Sequence, residues 1–227
     1  MQPRKTHNPQ TLTYVIGGIL AVVVFVVLAQ WSQQHAELIQ SLTAQAGWLG
    51  VFSYIGIMML SIVFAPLGTG FLLPVAANSY GPFLAAIYSI IGWTLGSVIA
   101  FWIAKTFQTK VFKHQVFTKR IQRYEQTIPK YQFYGLVILL RIALPVDLVS
   151  YALGFASTIS YRAFLLTTII GITPLTFMFT YAATASIWIQ IGVSIFATGL
   201  FAGGSYFVYR RYVHGDNEET VSIKKEL

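Results

Sequence analysis

Long uncharged runs separated by short polar intervals organise this chain. Residues 12–29 form one run of 18, residues 47–104 contain no charged side chain, and residues 163–209 contain none either. A helix of about 20 apolar residues crosses a ~30 Å hydrocarbon core, so the pattern predicts spanning helices over 12–29, 83–104, 163–183 and 187–209. The span over 163–183 is expected to be broken at Gly171 and Pro174. Residues 30–46 mix Trp31, Leu38, Ile39 and Leu42 with polar groups. They predict an interfacial helix, with His35 and Glu37 in solvent.

Two apolar stretches do not fit a simple crossing. Residues 47–64 are apolar, but Ala65-Pro66-Leu67-Gly68-Thr69-Gly70 follows, then Pro74, Asn78, Gly81 and Pro82. Proline and glycine at this density break a helix, and broken backbone at membrane depth survives only where protein or a water-filled cavity shields it. Residues 47–81 are therefore expected to form a hairpin. In 131–157, Arg141 and Asp147 flank Pro145, with nine uncharged residues before the arginine and ten after the aspartate. At about 1.5 Å per residue each limb reaches halfway through the core. This predicts a second hairpin with its charges near the midplane, where ionisable groups are by default functional.

The basic residues fix the direction of each crossing. They lie at Arg4 and Lys5, at 105–130 (seven of the fifteen), at Arg162 and at 210–225, apart from Arg141 itself. If all face the cytoplasm, residues 47–104 cross an odd number of times and 131–157 begin and end inside. Four crossings and two re-entrant helical hairpins entering from opposite faces satisfy this. The expected fold is an all-α integral membrane protein built as an inverted repeat, with interfacial amphipathic helices, a design that puts substrate sites at the midplane. Its parts are an amino-terminal helix and interfacial helix over 1–46, a core over 47–183 holding hairpins 47–81 and 131–157, a last span within 184–213, and a polar, disordered tail over 214–227. Val27-Leu28-Ala29 loosely resembles a signal-cleavage site, but the run exceeds the usual hydrophobic region, and an uncleaved first helix is expected.

Composition agrees: 56% of residues are hydrophobic and mean hydropathy is +0.64. The net charge of +8 reads as topology signals and as anionic-lipid contacts along an amphipathic helix at 105–130, with no nucleic-acid partner. There is no cysteine, hence no disulfide, thiolate nucleophile or iron–sulfur cluster. His7, His35, His114 and His214 lie outside the apolar runs, so neither a metal site nor a Ser-His pair is expected within the membrane. No enzyme activity and no cofactor are expected. Gly92 and Gly96 form a GxxxG pair, extended by Ser89 and Ala100, that predicts close helix packing.

Ser79-Tyr80-Gly81-Pro82, Gly92, Gly96, Ala100-Phe101 and Ala104-Lys105 resemble the corresponding run of the DedA-like VTT-domain superfamily, also called SNARE-associated Golgi proteins. The resemblance continues through Arg141, Pro145, 147–151, Gly154, Phe164 and 171–174, covering roughly 47–183. It implies paired re-entrant hairpins and lipid translocation, with a phospholipid or polyprenyl phosphate as substrate. Leu144 stands where the family commonly has proline. Residues 47–104 lack the acids that many members carry in or near the first hairpin, and the second hairpin lacks a second arginine. These departures bring the chain nearer the Golgi-protein branch.

Arg141 is the expected phosphate ligand, because a guanidinium stays charged and its forked donors match phosphate oxygens. Asp147 is expected to hold Arg141 when the site is empty or to take a proton as substrate binds. Backbone amides near Gly68, Gly70 and Pro145 add donors, and Asn78, Tyr80, Ser150 and Tyr151 are expected polar lining. A purely structural Arg141–Asp147 pair is the alternative. Proton-coupled transport of a small solute and a non-transporting assembly role remain open, as does a homodimer. The expected location is a bacterial inner membrane with both termini cytoplasmic; Lys224-Lys225 near the carboxyl end keeps the endoplasmic reticulum or Golgi open.

Overall fold

The computed structural model describes residues 9–64, 69–111, 125 and 127–204. Gly68, most of the 105–130 segment, Tyr209 to Arg211 and the tail lie outside the described residues. Every described element is helical: α1 (Pro9–Gln34), α2 (Ala36–Phe64), a 3-10 turn (Thr69–Leu72), α3 (Leu73–Tyr80), α4 (Pro82–Val111), α5 (Lys130–Ala143), α6 (Val146–Ala156), α7 (Tyr161–Ala183) and α8 (Ile187–Gly204). Gln45–Phe64, Pro82–Phe107, Tyr161–Ala183 and Ile187–Gly204 are long and apolar enough to cross a membrane. The chain is an all-α integral membrane protein.

Proline and glycine set the boundaries. Pro82 begins α4 at the first helical position, where its missing N–H costs nothing, and Gly81 before it takes φ 79°. Leu144 is extended at φ −133°, as a residue ahead of proline prefers, and α6 starts directly after Pro145. Gly47 (φ 52°, ψ −133°) bends α2 sharply. The polar stretch 36–46 thus leaves the apolar limb 48–64 at an angle. Residues 30–34, expected at the start of an interfacial helix, instead continue α1. Their side chains explain why: Gln33 Nε2 donates to the carbonyls of Ala183 (2.6 Å) and Ala185 (3.1 Å), and Gln30 Nε2 to Gln190 Oε1 (3.1 Å). Gln33 thus satisfies carbonyls at and just beyond the end of α7 that lack helical partners, and Gln30 ties α1 to α8.

The expected break in α7 does not occur. The helix runs unbroken through Gly171 and Pro174, since the one hydrogen bond that proline removes is tolerated where neighbouring helices and Ser/Thr side chains support the backbone. Thr173 Oγ1 donates to Ile169 O at 2.6 Å and Thr176 Oγ1 to Ile172 O at 2.7 Å.

Contacts give the directions of the helices. A Cβ placed on Gly92 would meet Met58 Cβ at 2.6 Å, and one on Gly96 would meet Met59 O at 2.6 Å and Ile62 Cβ at 3.0 Å. Residue numbers rise together on α2 and α4, so these helices are parallel and in backbone contact, as the GxxxG pair predicts. A Cβ on Gly50, near the start of the apolar limb 48–64 of α2, would lie 3.3 Å from the Tyr80 hydroxyl at the end of α3. The chain between them therefore returns to the end from which it left. The second unit repeats the plan: α5 runs parallel to α7, and a Cβ on Gly171 would meet Arg141 Cβ at 2.8 Å and Ile138 O at 3.4 Å.

The units interlock through the spans that follow each hairpin. Phe83 faces Phe177 at 5.8 Å, while Phe164 stacks on Phe101 at 4.1 Å; α4 and α7 are a central antiparallel pair. The return limb α6 lies on α4, where a Cβ on Gly154 would meet Ala104 Cβ at 2.6 Å and Phe101 O at 2.7 Å. Tyr151 Oη donates to Val63 O at 2.9 Å, joining the second hairpin to the far end of α2. Lys105, Lys130 and Arg162 mark one end of the bundle. There Lys105 Nζ donates to Ile159 O (3.4 Å), and Glu125 accepts from Thr158 N (2.8 Å) and Thr158 Oγ1 (2.8 Å).

Candidate functional site

Arg141 stands in the last turn of α5, eleven residues and about 16 Å of helical rise from Lys130. Its stem passes α7 at Gly171, where any side chain would collide with it. Its Cα–Cβ bond points back toward the helix amino terminus, as in any α-helix, so the guanidinium runs along α7 until it lies over the Phe164 ring at 4.7 Å. Phe164 stacks on Phe101, and Lys105 Nζ sits 5.1 Å from the centroid of Phe101 and 5.0 Å from that of Tyr161. Two cations thus bracket two stacked rings, a favourable use of the negative ring faces.

Arg141 is 1% exposed. Nη1 donates to Ser150 Oγ at a long 3.4 Å, while Nε and Nη2 have no hydrogen-bond partner. Those two nitrogens share one edge of the planar group, with parallel N–H bonds that match two oxygens of a phosphate or carboxylate. A buried donor without a partner ordinarily costs about 1–3 kcal/mol, and more when charged. The free edge is the feature that marks this place as a site.

Asp147 is 7% exposed in the first turn of α6, where a carboxylate complements the helix dipole. It accepts no hydrogen bond from Arg141, all of whose nitrogens are accounted for; the expected pairing of the two is not made. Pro145 separates their helices and caps α6. Ser150 faces Arg141 while donating to Val146 O at 2.8 Å, and Tyr151 points its hydroxyl at the end of α2.

The other expected lining residues lie elsewhere. Asn78 Nδ2 donates to Ser32 Oγ and to Pro74 O, both at 2.9 Å, and Gln40 Nε2 donates to Asn78 O at 3.1 Å. These bonds tie α1, α2 and α3 together at the end opposite Lys105. Tyr80, 5.4 Å from Tyr88 by ring centroids, lines an open groove of about 330 Å³ with Gln40, Thr43, Trp48 and Ser79. None of the hydrogen bonds of Asn78 reaches the Arg141 site. Gly70 belongs to the 3-10 turn after α2, with open space where a Cβ would stand.

Sequence reasoning missed Phe164, Gly171 and Lys105 as parts of the site. Gly171 and Phe164 carried no polar signal of their own. No group of three or more His, Cys, Asp or Glu suited to a metal occurs among the described residues.

No curated protein and no solved structure matches the chain. The family model of the VTT domain does match, over residues 57–185, a stretch that holds Arg141, the central pair α4 and α7, and the Ser150, Phe164 and Gly171 that meet Arg141. By that match, which covers more than half of its length, the chain belongs to the VTT domain family.

Proposed function

We propose that this protein is a transporter that moves a phosphate-bearing lipid between leaflets, with Arg141 holding the phosphate inside the bilayer. The observation that carries the reading is the free, buried Nε/Nη2 edge of Arg141, a residue that is 1% exposed. Placing a charge at membrane depth costs at least about 2.5–3.5 kcal/mol. Leaving two of its donors unpartnered adds to this, so a purely structural arginine is the poorer account. In the bilayer, hairpins 47–81 and 131–157 enter from opposite faces, with Lys105, Lys130 and Arg162 on the cytoplasmic side together with both termini. The membrane is the inner membrane of a bacterial cell. Anionic lipids associate with the 105–130 segment, and the chain has no catalytic role.

The test replaces Arg141 with glutamine, which keeps much of the volume and removes the charge. In vesicles the Arg141→Gln variant is expected to lose lipid movement while its unfolding midpoint stays at or above the wild-type value. Full transport by that variant refutes the reading. A second reading, proton-coupled transport of a small solute, draws on Asp147, which is buried and not held by Arg141. Vesicles that leak a proton gradient without moving lipid favour it instead.

A further inference from the structure

Thr94 and Ser97 on α4 are buried, and their hydroxyls have no hydrogen-bond partner. Most buried helical Ser and Thr elsewhere in the bundle settle their own hydroxyls; among the described residues Ser194 on α8 is the one further exception. Ser89 donates to Ala85 O at 2.6 Å, Thr168 to Phe164 O at 2.6 Å and Thr198 to Ser194 O at 2.8 Å. The two on α4 do not, although the same backbone carbonyls lie within their reach.

Their position follows from helix register. Helices α4 and α6 both run toward the Lys105 end and touch where Gly154 meets Phe101 and Ala104. Four residues back from that contact on each helix stand Ser97 and Ser150; seven back stand Thr94 and Asp147. All four are buried, and Ser150 accepts from Arg141. The orphaned hydroxyls of α4 therefore share a level with the orphaned edge of Arg141.

The charge available at that level is small. Residues 47–104, 131–157 and 163–209 contain Arg141 and Asp147 and no other charged side chain. Lys105 stands behind two stacked rings, and its ammonium is bonded to the Ile159 carbonyl. A phosphodiester carries one negative charge, which Arg141 balances. A phosphomonoester carries close to two above its second pKa of about 6. Its second charge would stay uncompensated in a low-dielectric interior, beside the Asp147 carboxyl, where an unpaired ion is strongly disfavoured.

We infer that Thr94 and Ser97 complete the Arg141 site as neutral donors, and that the site takes a singly charged phosphodiester in preference to a phosphomonoester. The inference rests on the lipid-transport reading above and names its substrate class. Its test uses the full chain in vesicles at pH 8 with tail-labelled phosphatidylglycerol (a diester) and phosphatidic acid (a monoester) of identical acyl chains, with protein-free vesicles as the baseline. Wild-type protein is expected to move the diester at least about tenfold faster, a difference of one decade in rate. The Thr94→Val, Ser97→Ala double variant is expected to lose about tenfold on the diester. Its unfolding midpoint should stay unchanged, since unpartnered hydroxyls hold nothing together. Equal rates for the two lipids, a double variant with wild-type rates, or one that unfolds earlier each overturns this inference. Each does so while Arg141→Gln can still abolish all movement and leave the transport reading standing. Wild-type protein that moves neither lipid removes that reading, and this one with it.

Discussion

Replacing Gly171 with alanine tests whether α7 positions Arg141. The added methyl would stand 2.8 Å from Arg141 Cβ, 3.3 Å from its Cδ and 3.4 Å from Ile138 O. Carbon atoms pack at about 3.5–4.0 Å, so the first of these contacts is short by about 0.7 Å or more. Cβ is fixed to the backbone, and no rotamer change relieves the contact; α5 and α7 must separate. Overpacking of this kind costs about 1–3 kcal/mol, and the better helix propensity of alanine returns up to about 1 kcal/mol. A net loss of about 1–2 kcal/mol lowers the unfolding midpoint by about 2–8 °C for a chain of this size. The same displacement lifts the guanidinium off Phe164 and misaligns its free edge, so lipid movement in vesicles should fall by about tenfold or more, as misplacements near 1 Å do elsewhere. Gly135→Ala and Gly56→Ala, which add a methyl into open space, serve as controls and should match or exceed wild-type stability. If Gly171→Ala unfolds no earlier than these controls and transports normally, α7 does not position Arg141 and the account of the site is wrong.

Two further outcomes are expected. Phe164→Leu removes the ring under Arg141 and the stack on Phe101, together worth about 1–3 kcal/mol; thermal unfolding of purified protein should show that loss, and Phe164→Tyr should largely restore stability, so equal midpoints for the leucine variant and wild type would contradict the ring contact. Because the chain has no cysteine, single introduced cysteines report cleanly on sidedness. Trp48→Cys and Ser79→Cys should react with an impermeant reagent from one side of the membrane and Lys130→Cys and Thr158→Cys from the other, whereas labelling of positions 48 and 79 from opposite sides would make 47–81 a plain crossing.

Much of the architecture was legible because its causes are local. Pro145 lacks an N–H and pushes Leu144 out of the helical region, so the tip of the second hairpin could be placed from three residues. Gly92 and Gly96 repeat at four-residue spacing, and that spacing puts two bare patches of backbone on one face of α4 whatever lies opposite. The interior of the site was harder to read. Arg141 and Asp147 were visible as charges, but their separation depends on where the guanidinium finds a surface, and that surface is the ring of Phe164, 23 residues away on another helix. Asn78 and Tyr80 were assigned to the same site because they are polar and lie in the other hairpin. The structure gives them to α1, α2 and Tyr88 instead, since α3 returns the chain to its starting end before those residues are reached. Gln30 and Gln33 looked like the edge of an interfacial helix, and only the neighbouring end of α7 explains why they continue α1.

The interlocking of the two units limits how the protein can move. Each hairpin leans on its own spanning helix with one limb and on its counterpart's with the other, so neither half has a complete interior by itself. Any rearrangement that loosens one hairpin from α4 must also disturb its seat beside α7, and the bond between Tyr151 and Val63 links that motion to the opposite hairpin. The two ends of the bundle are thereby tied mechanically: a shift of one hairpin is passed to the other through α4, α7 and the Tyr151–Val63 hydrogen bond.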